Sequence, residues 1–154
     1  MRTLLINSIF FFIFLISSVE CRFPDAVGTN GMVVSSNYLA TQAGIDILNN
    51  GGNAIDAAVA VGFALAVTHP GAGNIGGGGF MVIRFSDGTS TTIDFRETAP
   101  SLATKNMFLD DQGNVIDGMS WSTALAVGVP GTVAGFGYVH EKYGKLRLSL
   151  IHIS

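Results

Sequence analysis

A run of glycines opens directly into a strand, and this junction restricts the chain more than any other feature. Residues 71–79 read GAGNIGGGG and residues 80–85 read FMVIRF. Positions 76–79 therefore carry no side chain, which lets another backbone or a ligand approach closely. FMVIRF is rich in strand-favouring apolar residues, and TTIDF at 91–95 ends in polar–apolar alternation. Between them lies Asp87-Gly88, a pair favoured in two-residue type I′ turns because both central residues need φ > 0. Counting outward from such a turn predicts Phe85 opposite Ser90, Ile83 opposite Thr92, Val82 opposite Ile93 and Phe80 opposite Phe95. Arg96 then falls opposite Gly79. A guanidinium beside bare backbone can hold a ligand carboxylate in a bidentate fork. The competing reading is a solvated arginine paired with Glu97 or Asp94, as most surface arginines are solvated.

The glycine passage matches two known letter patterns only superficially. GAGNIG fits G-x-G-x-x-G, but a dinucleotide site needs a strand before it and a helix after it. Here the order is reversed, and no Lys-Ser/Thr pair follows to make a phosphate-binding loop. The two remaining readings are a tight packing turn and a glycine-lined ligand pocket.

The residues before the glycines read as two helices. Met32, Val33 and Val34 form a short apolar run, read as a buried first strand. Ser35, Ser36 and Asn37 are capping types, and the spacing predicts a helix over 38–50 with Leu39, Ala43 and Ile47 on its buried face. Gly51-Gly52 stops it. Asn53 is the expected N-cap of a second helix, with Asp56 favouring its first turn through the helix dipole. From 57 to 67 no charge appears, so this helix is expected to lie buried between layers; it is too short to span a membrane. His69-Pro70 ends it, and His69 is weighed as a catalytic base against a helix-end role.

Beyond the hairpin the signals weaken. Residues 99–118 read as loop, with short helical turns near Thr104 and Met107. DDQGN at 110–114 lacks the spaced ligands and closing glutamate of a calcium loop and reads as a polar turn. Residues 121–129 are ambiguous between strand and helix. Pro130 suits the start of a helix over 131–143, with Val133, Phe136, Val139 and His140 inward and Gly144 closing it.

Three stretches carry a family resemblance: GGNAIDAAVAVGFALAVTHPGAGNIGGGGFMVIRF, TTIDFRETAP and VGVPGTVAGF. Together they resemble the γ-glutamyltransferase (glutathione hydrolase) family, bacterial members especially, over residues 31–146. The resemblance implies an α+β fold, the αββα sandwich of N-terminal-nucleophile hydrolases. It implies a precursor that cuts itself into a large and a small subunit, of which this chain is the N-terminal part of the large one. The implied activity is cleavage of γ-glutamyl amides such as glutathione, with transfer to water, amino acids or peptides and no cofactor. Arg96 matches the family arginine that holds the α-carboxylate of the γ-glutamyl group. The match favours the ligand reading of Arg96 over the solvated one. The nucleophilic threonine and oxyanion donors are expected beyond Ser154, so no catalytic residue is assigned in this chain. Thr92 and Thr132 are not promoted to that role. The alternatives are a β-lactam (cephalosporin) acylase on the same scaffold and a non-catalytic secreted fragment.

Composition adds bounds. Charged residues make up 12% of the chain and the net charge is −3, which leaves no electrostatic footprint for nucleic acid. No histidine or cysteine sits at metal-ligand spacing, so no metal is proposed. Arg2, the apolar stretch at 4–16 and the small residues before Cys21 read as a secretory signal peptide over 1–21. Export to the periplasm or exterior is therefore expected, with a membrane anchor made by an uncleaved leader as the alternative. Residues 22–146 are read as the γ-glutamyltransferase-like domain. Residues 147–154 depart from the family pattern; a foreign or truncated junction near Arg147 is expected, with a genuine frame change as the alternative.

Overall fold

The caps written into the sequence set the helix boundaries. In the computed structural model, which describes residues 26–151, α1 spans Tyr38–Asn49 and Asn37 is its N-cap. The Asn37 side chain accepts the Leu39 N–H at 2.9 Å. Gly51 takes φ +87°, and the N–H groups of Gly51 and Gly52 reach back to the carbonyls of Leu48 and Ile47, each at 3.0 Å. These two bonds form a Schellman stop, which needs a left-handed residue at Gly51. The buried face is Ala40, Ala43, Gly44 and Ile47, a small-residue ridge that lets α1 lie close against the next helix. Leu39, expected inside, is half exposed because that ridge, one position further along, makes the contact.

Helix α2 spans Ala54–Thr68 and begins with a full capping box. The Asn53 side chain accepts the N–H groups of Ile55 and Asp56, and the Asp56 carboxylate accepts the Asn53 N–H at 2.9 Å. Asn37 also donates to the carbonyl of Thr68 at 3.1 Å, so the start of α1 holds the end of α2. Only the first half of α2 is enclosed: Ile55, Asp56, Ala57, Val59 and Ala60 are buried. Residues 61–66 are half buried and Val67 is 80% exposed, so within this chain the helix is not covered all round. None of the helices among the described residues is long and apolar enough to cross a membrane.

The hairpin forms where expected, one residue out of the expected register. Strands β1 (Phe80–Arg84) and β2 (Ser90–Asp94) pair antiparallel, with Ile83 opposite Thr91, Met81 opposite Ile93 and Phe80 opposite Asp94. The turn is the reason. Of its residues only Gly88 has positive φ, at +87°, whereas a type I′ turn would need Asp87 there too. Gly88 N–H bonds to Phe85 O at 3.0 Å and Phe85 N–H bonds to Thr89 O at 2.9 Å. This is the three-residue loop with a glycine bulge. Asp87 accepts from the Thr89 hydroxyl and N–H, which holds its carboxyl below the usual carboxylate range. The observed register also satisfies the pleat: Met81, Ile83, Phe85, Thr91, Ile93 and Phe95 turn inward together.

After the hairpin, residues 99–118 form turns, one of them closed by the Met107 N–H on the Thr104 carbonyl at 3.3 Å. Asp110 closes a polar turn by accepting the Asn114 backbone N–H at 2.8 Å and its side-chain amide at 3.2 Å. Those bonds hold the Asp110 carboxyl low. The ambiguous stretch resolves into α3 (Met119–Ser122), a 3-10 turn (Ala124–Ala126) and a lone bridge between Val129 and Thr98. Helix α4 (Thr132–Tyr143) follows Gly131 and buries Thr132, Gly135, Phe136 and Val139. Val133, expected inside, is 51% exposed because α4 meets β2 along the Gly135 side. A last turn, α5 (Leu148–Ile151), buries Ile151.

Gly31–Ser154 forms one unit; residues 26–30, the described part of the other, are exposed loop. In the larger unit, helices lie over the inner face of the hairpin. Phe136 of α4 meets Phe63 of α2 at 5.2 Å and Phe95 at 5.6 Å between ring centroids, both edge-on. The run Met32–Val33–Val34 is not a strand: Val33 packs on the core while Met32 and Val34 are exposed, and among the described residues no neighbouring strand offers a ladder. The leader read at residues 1–21, with Cys21, lies outside the described residues.

Asp56 and Asn53 both reach far along the chain. Asp56 is fully buried and accepts the N–H groups of Lys145 and Leu146 at 3.0 and 3.3 Å, ninety residues away along the chain, besides that of Asn53. His140 Nε2 lies 3.5 Å from it, and Asn53 donates to the carbonyl of Tyr143 at 2.7 Å. Asp56→Ala strands three backbone donors and is expected to cost about 3 kcal/mol of stability, read from the urea midpoint by circular dichroism. Asp56→Asn, which keeps an acceptor, is expected to lose less; equal losses would contradict this assignment.

Candidate functional site around Arg96

The end of β2 is fixed by what surrounds its backbone. Phe95 N–H bonds to Gly79 O at 3.0 Å, continuing the hairpin ladder by one rung. Arg96 thus faces Gly78, not Gly79. A Cβ on Gly78 would stand 2.6 Å from the Arg96 Cα, so the two chains touch backbone to backbone. On the other side, a Cβ on Gly131 would overlap the Phe95 carbonyl and one on Gly135 would overlap the Phe95 ring. The segment from Phe95 to Glu97 is therefore clasped between the glycine loop and the start of α4. Glycines at these places are required by closeness, whatever their φ.

The glycine loop is itself tied to α4. Gly77 O accepts the N–H groups of Gly131 and Thr132 at 2.8 and 3.1 Å, capping the helix N-terminus. Asn74 Oδ1 accepts the Gly77 N–H at 2.9 Å and the Thr132 hydroxyl at 2.8 Å. Thr132 is 3% exposed, so its hydroxyl has been taken from water and given to this one acceptor. The loop is thus a packing turn set against the Phe95–Glu97 backbone, and no glycine lines the depression beside Arg96.

Arg96 itself presents a free cation. Its N–H closes a turn onto Asp94 Oδ1 at 3.0 Å, while its side chain is exposed. The guanidinium carbon lies 5.7 Å from the centroid of the Phe80 ring, a contact that steadies the group without neutralising it. Among the described residues, the one contact between a carboxylate and a basic group within 4.0 Å is His140 with Asp56. The competing arrangement, Arg96 paired with Asp94 or Glu97, does not form. A surface depression of about 510 Å³ is lined by Asp94, Arg96, Glu97 and Thr98. A planar guanidinium with no internal partner, at the edge of such a depression, can receive a carboxylate through two parallel hydrogen bonds.

The other candidates are placed elsewhere or differently. His69 caps α2 with its backbone N–H, bonded to Leu65 O at 2.9 Å, and its carbonyl accepts from Ala72 and Gly73. Thr92 is exposed in mid-strand. Among the described residues no group of three His, Cys, Asp or Glu side chains is placed to hold a metal ion. Asn74 and Thr132 were not legible as site partners. The available signal was Thr132 directly after Pro130-Gly131, a hydroxyl in the first turn of a helix, where its partner has to come from elsewhere in the fold. A single added methyl tests the clasp: Gly135→Ala is expected to cost about 3 kcal/mol by forcing Phe95 aside, whereas Gly137→Ala, with open space, is neutral within about 0.5 kcal/mol or slightly stabilising. Equal thermal midpoints for the two variants would refute the clasp.

Comparison with known proteins fits this arrangement. A family model described as Gamma-glutamyltranspeptidase matches residues 40–151. The chain is 62% identical over 123 residues to a glutathione hydrolase proenzyme of Pseudomonas sp. (strain A14), covering 79% of this chain and 21% of that protein. It is 61% identical over 132 residues to a glutathione hydrolase proenzyme of Escherichia coli (strain K12), covering 86% of this chain and 23% of that one. The crystal structure of Helicobacter pylori gamma-glutamyltranspeptidase superposes with a TM-score of 0.79 at 55% identity, over 84% of this chain and 37% of that chain. The chain thus spans between a fifth and a quarter of the length of these curated relatives. The expected α+β fold of the N-terminal-nucleophile hydrolase type holds, with only a portion of the sandwich in this chain. Its sequence, its hairpin clasped by glycines and these likenesses together place the chain in the γ-glutamyltranspeptidase family.

Proposed function

We propose that this chain is the N-terminal part of a precursor whose mature enzyme cleaves γ-glutamyl amides, glutathione among them, and passes the acyl group to water, amino acids or peptides. Within it Arg96 holds the α-carboxylate of the γ-glutamyl group. The observation that carries this reading is the exposed guanidinium without an ion-pair partner on a backbone held from both sides by glycines. The high identity to two glutathione hydrolase proenzymes favours γ-glutamyl amides over a β-lactam as substrate.

The chemistry follows from where the carboxylate sits on the substrate. It lies at the far end of the glutamyl chain from the scissile amide. Gripping it in a two-point fork fixes both position and rotation of the acyl group. Binding energy gathered there is converted into a near-attack geometry at the amide carbon. The nucleophilic threonine and oxyanion donors are assigned to the part of the precursor beyond Ser154, as is the small subunit released by self-cleavage. No cofactor enters this scheme. Secretion through the leader at 1–21 belongs to the same proposal.

The test uses a full-length proenzyme of the family carrying residues 31–146 of this chain. Arg96→Ala is expected to lower kcat/KM for a γ-glutamyl anilide by about a thousandfold, the worth of two charge-assisted hydrogen bonds. Arg96→Lys keeps the charge but not the fork and should fall in between. Wild-type kcat/KM in Arg96→Ala would sink the assignment.

A further inference from the structure

We infer that Asn74 and Thr132 are positioning residues for the Arg96 guanidinium, acting through the glycine loop and not through the substrate. The inference rests on the carboxylate reading of Arg96 and deepens it. The route is continuous. The buried Thr132 hydroxyl donates to Asn74 Oδ1 at 2.8 Å, and the same oxygen accepts the Gly77 N–H at 2.9 Å. Gly77 O is held by the N–H groups of Gly131 and Thr132. The next residue, Gly78, lies against the Arg96 backbone, and Gly79 O bonds to Phe95 N–H. One oxygen on Asn74 thus sets where the loop stands relative to α4, and the loop sets where the Arg96 backbone stands. Asn74 also donates to Ala72 O at 3.3 Å, which orients its amide so that Oδ1 faces the two donors.

The bracket is built of neutral groups, and neither Asn74 nor Thr132 lines the depression. Its loss therefore acts on the placement of the fork and leaves the charge in place. A two-point grip is sensitive to small displacements, because both hydrogen bonds weaken together when the plane tilts. Thr132→Val is the sharpest probe: shape is retained and the hydroxyl is removed. Asn74→Leu removes the acceptor from the other side.

In the full-length proenzyme carrying residues 31–146, Thr132→Val is expected to raise KM for a γ-glutamyl anilide by about tenfold while kcat moves by less than about twofold. Asn74→Leu should do the same. Thr132→Ser, which restores the hydroxyl, should return KM to near wild type. In an Arg96→Lys background, where there is no fork to aim, Thr132→Val should add less than about twofold to KM. A merely structural role would lower the yield of soluble, processed enzyme with KM unchanged, and that result overturns the inference. A full tenfold addition in the Arg96→Lys background overturns it as well. If Arg96→Ala leaves kcat/KM at the wild-type value, the carboxylate reading has failed; if Arg96→Ala lowers kcat/KM and Thr132→Val does not raise KM, only the positioning role has failed.

Discussion

One buried carboxylate joins the start of α2 to the segment just after α4. Asp56 sits in the first turn of α2, yet its oxygens take up the N–H groups of Lys145 and Leu146 just past α4. A buried charge is costly unless hydrogen-bonded, and here three backbone donors and the N-terminal end of α2 meet it. Because Asn53 simultaneously holds the Tyr143 carbonyl, the start of α2 and the end of α4 are tied in both directions. The other end of α4 caps itself on Gly77. Helix α4 is thereby pinned at both termini, and it presses Gly131 and Gly135 against the strand end that presents Arg96.

That pinning explains why glycine is concentrated where it is. The clasp around Phe95 and Arg96 has backbone on backbone at Gly78 and Gly131, with no room for a methyl group. A ring at Phe95 fills the space that glycine leaves at 135 and stacks edge-on against Phe136. Core packing and the candidate site thus share residues: the ring that joins α4 to the sheet is the immediate neighbour of the arginine. A cation without an ion-pair partner, on a backbone held from both sides, suits capture of a carboxylate.

Much of this was legible in the sequence, for local reasons. Capping side chains act within a few residues, so Asn37, Asn53 and Gly51 fixed the helix limits closely. Arg96 stood out as one arginine beside a bare glycine run. The hairpin register was harder, because Asp-Gly serves both the two-residue turn and the three-residue loop with a bulge. The pleat could have decided it: the counted register put Val82, which points out, across from Ile93, which points in. Leu39 and Val133 were misplaced because helical periodicity defines a broad stripe, and the small residues beside them determine which edge is pressed inward. The reach of Asp56 and the Asn74–Thr132 bond were hidden, since each joins residues more than fifty positions apart.

The central claim is that Arg96 recognises a carboxylate and nothing else of the substrate. L-Glutamate and 4-aminobutyrate differ by that one group. Their inhibition constants against a γ-glutamyl anilide, measured for wild type and Arg96→Ala in the full-length proenzyme, isolate it. The expected result is a loss of about a hundredfold for glutamate with 4-aminobutyrate unchanged. Equal changes for both compounds, or none for either, would contradict the role given to Arg96.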